Sequence, residues 1–159
     1  MIKRFIILVL FGIILSACAT PKSNTLTPYD FDTDFKFKLA ISKNEAVEIS
    51  EEVLETINDQ VYQGLSERNL IANDTENTYR EAVVNLTSYR MRPDAARLTV
   101  GILAGCDNIK SNVAIFDGGT TQKIGESEIT IEECGGWGVS ADVIKKYSDG
   151  IVKYLLGKK

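Results

Sequence analysis

Histidine is absent from this chain of 159 residues. The sequence therefore lacks the side chain that most often acts as an acid or base near neutral pH and that ligates most catalytic zinc ions. It also lacks an excess of basic residues, because 18 lysines and arginines stand against 22 acidic residues, with a net charge of −4 and a pI of about 5.0. Nucleic acid is not an expected partner. We expect neither an enzyme nor a bound cofactor or metal.

The apolar run at the start of the chain is too short to cross a bilayer. It extends from Phe5 to Leu15, whereas a transmembrane helix needs about 20 apolar residues. Lys3 and Arg4 precede the run and small residues follow it, which is the order of a secretory signal peptide. We predict that residues 1–17 are a targeting segment that is removed from the mature protein.

The residues that end this run, Leu15-Ser16-Ala17-Cys18, resemble the lipobox of bacterial lipoproteins. The resemblance implies cleavage before Cys18 and attachment of a diacylglyceryl group, and usually a further acyl chain, to that cysteine. Two or three acyl chains hold a protein permanently on a membrane. An aspartate at position 19 would resemble an inner-membrane retention signal. Ala19 stands there instead, which favours the outer membrane, and we expect the domain on its periplasmic face. The alternative is a secreted protein in which Cys18 is an ordinary thiol.

A change of composition follows the lipobox. Residues 19–28 are mostly Thr, Ser, Asn, Pro and Lys, a mixture that cannot bury a core and that predicts a flexible tether over residues 18–28. A single domain should then occupy residues 29–159. Because cleavage would remove Lys3 and Arg4, the mature chain is more acidic than the precursor, and we expect the acyl chains rather than surface charge to attach it.

Periodicity predicts a strand and then a helix in the first part of the domain. Large apolar residues alternate from Phe35 to Ile41, as in a strand with one buried face. Ser42 and Glu45 match a capping box, so a helix should begin there and end near Arg68, with Asn69 as a left-handed cap. One apolar stripe runs along this helix: Ala46, Ile49, Val53, Ile57, Val61 and Leu65.

The remainder of the chain predicts four strands and a second helix. Asn73–Thr78 is polar enough for a loop, Asp117-Gly118-Gly119 has the chemistry of a hairpin turn, and Ser140 is a suitable N-cap. The helix after Ser140 carries the stripe Val143, Ile144, Tyr147, Ile151, Tyr154 and Leu155. The predicted strands are Ala82–Met91, Leu98–Leu103, Asn112–Phe116 and Gln122–Glu132, the last with an ambiguous inner face. The expected fold is α+β, a largely antiparallel sheet of about five strands with both helices on one face.

A set of mostly small or apolar residues is spaced along the segment from Ala82 onward: Arg97–Val100, Gly101, Ala104-Gly105, Val113, Ile115, Asp117, Gly135, Gly136 and Gly138. With these residues the segment, about half of the chain, resembles a family known as domain of unknown function 4410, which is common in bacterial lipoproteins. The resemblance implies an envelope lipoprotein domain without established catalytic residues.

Two cysteines remain after Cys18. Outside the cytoplasm a disulfide is permitted, and Cys106 with Cys134 is the pair that remains. With one predicted strand between them, both would follow strands that run the same way, and the flanking loops would have to bend inward. The alternative is two separate buried thiols. A nucleophilic cysteine is not expected, because no histidine can activate it and no basic residue adjoins either thiol in sequence.

Three further groups of residues have a functional and a structural interpretation. The loop Gly135-Gly136-Trp137-Gly138 is a weak candidate for a binding rim, with Trp137 as an anchor, or a plain loop whose tryptophan closes the core. Asp30, Asp32 and Asp34 begin like a calcium loop, but the glycine and glutamate that such a loop requires are missing, so we interpret them as solvated acids. Glu126 and Glu128 share a strand face and could pair in acid/base chemistry, although a solvent-exposed face explains them better.

These observations support two functional hypotheses. The first is a non-enzymatic lipoprotein, anchored through Cys18, that binds or positions another envelope component, with an envelope protein as the expected partner. The second is a module that binds cell-wall fragments or small molecules at the loop of residues 135–138. The missing catalytic groups and a sheet covered on one face only favour the first.

Overall fold

Five strands and two helices form the described part of this chain. The computed structural model describes residues 20–32, 34–73, 75–76, 78–93, 95–96, 105–134 and 140–158. Within them the elements in chain order are β1 (Lys22–Thr27), β2 (Lys36–Lys43), α1 (Glu51–Ser66), β3 (Tyr79–Arg90), β4 (Asp107–Asp117), β5 (Lys123–Glu133) and α2 (Ser140–Leu155). The predicted strand Leu98–Leu103 lies outside the described residues.

The strands form one mixed sheet in the order β1-β5-β4-β3-β2. Three of the four pairings are antiparallel, and β2 pairs with β3 in parallel. Parallel neighbours need a crossover connection, and α1 supplies it between β2 and β3. The prediction of a mostly antiparallel α+β fold is confirmed.

The core lies between one face of the sheet and the two helices. Alternate residues of β3, β4 and β5 are buried, because successive side chains of a strand point to opposite faces of the sheet. Val84 and Val113, which pair across β3 and β4, both point into the core. The helix α1 contacts β2 and α2, and α2 contacts β5, β4 and β1. Both predicted stripes supply the cover, with Ile57, Val61 and Leu65 buried on α1 and Val143, Ile144, Tyr147, Ile151, Tyr154 and Leu155 buried on α2.

The inner face of β5, ambiguous in the sequence, is now defined. Ser127, Ile129 and Ile131 are buried, whereas Glu126 and Glu128 point to the opposite face. Ile124 falls at an irregularity of the register between β4 and β5. A bulge of this kind shifts the alternation by one residue, which explains why the pattern looked imperfect in the sequence.

The predicted start of the first helix is wrong. Ser42 does not cap a helix, because β2 continues to Lys43 and Ser42 pairs with Asn85 in the ladder. The helix begins at Glu51, where the hydroxyl of Ser50 accepts a hydrogen bond from the backbone N–H of Val53 at 3.4 Å. Ala46 is consequently exposed rather than part of the stripe. At the other end Asn69 has a φ of 56°, as predicted for a left-handed cap.

The predicted tether is also wrong over six of its residues. Lys22–Thr27 form β1, an edge strand whose six side chains are all exposed and which pairs with β5 from Lys22↔Thr130 onward. The composition identified the exposure of these side chains correctly. It could not reveal the strand, because backbone hydrogen bonds to the free edge of β5 require no apolar side chains.

Among the described residues, neither helix combines the length and hydropathy that crossing a bilayer requires.

Candidate functional site

One end of the sheet is closed by a disulfide. Cys106 directly precedes β4 and Cys134 directly follows β5, and the two sulfur atoms are bonded with their Cα atoms 4.2 Å apart. The predicted pairing is therefore present in the structure. The expected arrangement with an intervening strand is wrong, because β4 begins at Asp107 and is the immediate antiparallel neighbour of β5. Asp107 lies opposite Glu133, so the two cysteines meet without any inward bend.

A buried ion pair adjoins this disulfide. The guanidinium of Arg92 donates to the carboxylate of Asp107 at 2.9 Å and to the carbonyl oxygen of Glu133 at 3.2 Å. The backbone N–H of Arg92 donates to the same carboxylate at 2.7 Å. The two side chains are only 3% and 0% exposed. Arg92 thus joins the end of β3 to both strands that carry the disulfide.

No sequence signal points to this pair. Its members are 15 residues apart, and Arg92 stands before Pro93 and Asp94, which have the chemistry of a turn. No periodicity or motif connects an arginine in a turn to an aspartate at the start of a strand. The feature that could have drawn attention is the position of Asp107, next to a cysteine and at the beginning of a buried strand, where an unpaired carboxylate would be costly.

Two candidate sites fall outside the described residues. The acylation site Cys18 precedes Thr20, the first residue that the structure describes. The loop Gly135-Gly136-Trp137-Gly138 follows Cys134 directly in sequence and lies in the range 135–139, of which the structure gives no description. Both stay predictions.

The residues around the disulfide also form a potential ligand cluster. One ligand atom each from Cys106, Glu132 and Cys134 lies within 4.8 Å of the others. Both sulfur atoms are consumed by the disulfide, however, and the thiolate is the form that ligates metals. In the oxidised protein this cluster is part of a cross-linked rim, and it offers a single carboxylate to solvent.

The second face of the sheet is not covered by either helix. No element in the described part of the chain packs on it, since both helices lie on the other face. Its centre is a row of paired residues from neighbouring strands, in which Val83, Ala114 and Glu126 lie side by side and partly exposed. We call this surface the open face.

Charged pairs border the centre of the open face. Lys110 binds Glu128 and Lys123 binds Glu126, each with N···O at 2.7 Å. The ammonium of Lys38 lies 4.0 Å from the ring centroid of Tyr79. The open face is therefore a mosaic of small apolar and paired charged groups.

The carboxylates of Glu126 and Glu128 share this face, as their spacing predicted. Each is bound to a lysine rather than to the other, and their side chains are 26% and 32% exposed. Acid/base hydrolysis requires two carboxylates on either side of a scissile bond. Glu126 and Glu128 instead lie on one face of the sheet, and each forms a surface ion pair with its own lysine.

The three aspartates near β2 form a local turn. The backbone N–H of Asp34 donates to the carboxylate of Asp32 at 3.0 Å, and the carbonyl oxygen of Asp30 accepts from Arg80 at 3.0 Å. Among the described residues their carboxylates do not form a cluster that could hold a metal. The geometry is that of a solvated turn.

Titration is perturbed mainly at buried tyrosines. Burial raises the pKa of Tyr154 to about 12, and the nearby carboxylate of Glu126 acts in the same direction. Burial likewise raises the pKa of Tyr29 and of Tyr147. A hydrogen bond from Lys36 lowers the pKa of Glu76. None of these shifts places a group near neutral pH, where a general acid or base is most effective.

Comparison with known proteins gives a family and a fold. The family model described as "Domain of unknown function (DUF4410)" matches residues 22–132. No curated protein matches the sequence. Among solved structures, a variant of PelC from Paraburkholderia phytofirmans, described as a dodecamer, is similar with a TM-score of 0.59 and 8% identity over 88% of this chain and 99% of that one. A second PelC dodecamer from the same organism has a TM-score of 0.55 and 10% identity over 89% and 99% of the two chains. At such low identity the likeness concerns the fold alone.

Proposed function

We propose, from the premise that this chain belongs to the DUF4410 family, that it is a non-enzymatic envelope lipoprotein which binds or positions another envelope component. The lipobox at Cys18 supports an anchor in a membrane, and Ala19 supports the outer membrane, where we propose that the domain faces the periplasm. The absence of histidine supports a role without catalysis. The partner is an envelope protein that contacts the open face.

The observation that carries this proposal is the open face itself. A sheet with one face on the core and the other uncovered usually exposes strongly polar residues there. Here Val83, Ala114 and Phe116 are only partly exposed and lie between lysine–glutamate pairs. An apolar centre with a charged rim is typical of a reversible protein–protein interface.

The short connection to the anchor supports a role at the membrane surface. Because β1 begins at Lys22, only four residue steps separate it from Cys18, and they span at most about 14 Å. A flexible tether over the whole of residues 18–28 would have allowed the domain to move much further away. A domain held this close can present a fixed surface to a component of the same leaflet.

Photocrosslinking in living cells tests the proposal. A photoreactive phenylalanine analogue replaces Ala114 at the centre of the open face or, as a control, Glu55, which is exposed on α1. We expect a reproducible adduct with one envelope protein from position 114 and none from position 55. The adduct should disappear when Cys18 is replaced by serine, because the domain is then no longer held at the leaflet.

Two outcomes would contradict the proposed role. Equal crosslinking from positions 114 and 55 would mean that the open face has no specific partner. An adduct at twice the mass of this chain would assign the open face to contacts between copies, in line with the dodecamer described for PelC, and would exclude a separate partner protein there.

A further inference from the structure

A groove of about 510 Å³ lies between β1 and α2, on the opposite side of β1 from the open face. Residues 20–23 and Thr25 form one wall and α2 forms the other, with Ile129 of β5 at the base. The two walls come close because Gly150 has no side chain. A Cβ atom at that position would lie 2.7 Å from the Cβ atom of Pro21.

The rim of this groove is basic although the chain as a whole is acidic. Four lysines line it, Lys22, Lys146, Lys153 and Lys158, against the single carboxylate of Asp149. Asp149 is bound to Lys145 at 3.2 Å and Lys146 to Glu133 at 3.6 Å. In the part of the chain that the structure describes, the other three rim lysines have no carboxylate partner. Their positive charge is available to an anion.

The interior of the groove is less polar than its rim. Pro21, Ile129 and the ring of Tyr154 contribute to the walls. Tyr154 is 5% exposed, and its hydroxyl has no hydrogen-bond partner among the described residues. A site with cationic groups at its mouth and apolar groups inside suits a ligand that carries a phosphate on a hydrocarbon body.

We propose that this groove binds the phosphodiester headgroup of an anionic phospholipid in the leaflet that holds the protein. The inference rests on the proposed anchoring at Cys18, because Thr20 in the wall of the groove is only two residues away from that cysteine. The acyl anchor would hold the mouth of the groove against the membrane surface. Headgroup binding would then fix the orientation of the domain, so that it does not rotate freely about its anchor.

Vesicle cosedimentation of residues 18–159 with Cys18→Ser tests the groove without the acyl chains and without the apolar targeting segment. We expect it to bind vesicles of phosphatidylglycerol and to show no binding to vesicles of phosphatidylcholine. The double variant Lys153→Gln/Lys158→Gln should bind phosphatidylglycerol vesicles about 25-fold more weakly, from a factor of about five per lysine near an anionic surface. Lys22 is left in place, because it pairs with Thr130 in the ladder and its side chain alternates to the open face. Raising the salt concentration to 0.5 M should weaken the binding as well, because screening shortens the reach of these charges.

The matched control is Lys43→Gln/Lys123→Gln, which makes the same change in net charge away from the groove. It should bind within about twofold of the parent chain. Thermal unfolding of the groove variant should match the parent, because Lys153 and Lys158 are exposed and have no carboxylate partner among the described residues. Equal loss in the control and the groove variant would overturn the proposal, because binding would then follow net charge alone.

Two further results would overturn the inference. One is equal binding to both kinds of vesicle. The other is an NMR shift of groove residues with inorganic phosphate combined with no binding to phosphatidylglycerol vesicles, which would assign the groove to a free anion. Because these measurements use a chain without an acyl anchor, they can fail while lipidation of Cys18 is established, and they can succeed when it is not.

Discussion

At the scale of single residues, the two features that secure the disulfide end of the sheet differ in how visible they are in the sequence. The pairing of Cys106 with Cys134 followed from the number of cysteines left after Cys18 and from the oxidising compartment that the targeting segment predicts. The pair of Arg92 and Asp107 could not be predicted, because an ion pair between a turn and a strand depends on how the chain is folded. An interaction that needs a rare residue type, such as a disulfide, can be predicted from the sequence. An ion pair between common charged residues cannot.

Replacing Asp107 by asparagine should destabilise the protein by about 3 kcal/mol, because the guanidinium of Arg92 would stay buried without its counter-charge. Urea unfolding at neutral pH measures the change in free energy. The control Asp59→Asn, at an exposed position of α1, should change it by less than about 0.5 kcal/mol. Replacing both members of the pair by Arg92→Met/Asp107→Leu should restore part of the loss, and equal stability of Asp107→Asn and the parent would contradict this account.

The buried hydroxyl of Tyr154 should make the protein less stable at alkaline pH. Its pKa is about 12 in the folded chain, against about 10 when unfolded. Between these values the unfolded chain releases a proton that the folded chain keeps, so the free energy of unfolding falls as the pH rises from 10 to 12.

The variant Tyr154→Phe should therefore lose less stability over that interval and unfold at neutral pH with a free energy at least equal to that of the parent, since its hydroxyl has no partner among the described residues. Urea unfolding at pH 9 and pH 11 provides the comparison. Tyr62→Phe, at an exposed position, should show the same fall as the parent. A fall that Tyr154→Phe leaves unchanged would mean that other groups govern alkaline stability.

At the scale of elements, periodicity was sufficient wherever the buried face of a segment is apolar. It located β2, β3, β5 and α2 to within about three residues, because alternation or a helical stripe records which side meets the core. It found only the second half of β4, which was predicted from Asn112 but begins at Asp107, because the buried positions Asp107 and Ser111 are polar. It failed for β1, whose side chains are all exposed, and for the start of α1, where Ser42 and Glu45 imitate a cap that the ladder between β2 and β3 overrides. Edge strands and helix ends depend on backbone partners that a local pattern does not show.

Opening the disulfide should loosen the β4–β5 end of the sheet. The bond closes a segment with a sequence separation of 28, and in the chain-entropy model such a loop stabilises the folded state by roughly 3 to 4 kcal/mol. The variant Cys106→Ser/Cys134→Ser should lose about that amount in urea unfolding. Adding dithiothreitol should destabilise the parent and leave the double variant unaffected, and a parent that is indifferent to the reductant in the unfolding transition would argue against a structural role.

The edge strand β1 should detach when the gap at Gly150 is filled. In Gly150→Ala the new methyl group would lie 2.7 Å from Pro21, closer than real Cβ contacts allow, although alanine itself favours the helix by up to about 1 kcal/mol. Hydrogen exchange should therefore speed up at the amides of Lys22–Thr27 while α2 stays protected. Lys153→Ala, on the exposed side of the same helix, should leave exchange in β1 unchanged, and an unaffected β1 in Gly150→Ala would contradict the packing described here.

At the scale of the whole molecule, the two faces of the sheet differ, and the groove lies at the N-terminal end of the described chain. The core and both helices lie on one face of the sheet, the open face lies on the other, and the lysine-rimmed groove lies beside the first described residues. Composition alone gives a net charge of −4, which suggested that surface charge plays no part at the membrane. The structure shows that charge is distributed unevenly. Lysines without a carboxylate partner among the described residues line the groove beside Thr20, two residues after Cys18 in sequence.

The central claim is that Cys18 becomes an acylated N-terminus. Intact mass spectrometry of the mature protein purified from cell membranes tests it directly. The account predicts a chain that begins at Cys18 and carries the added mass of two or three fatty acyl groups, with that mass lost in Cys18→Ser. A mature chain that begins elsewhere, or that begins at Cys18 with an unmodified thiol, would contradict it.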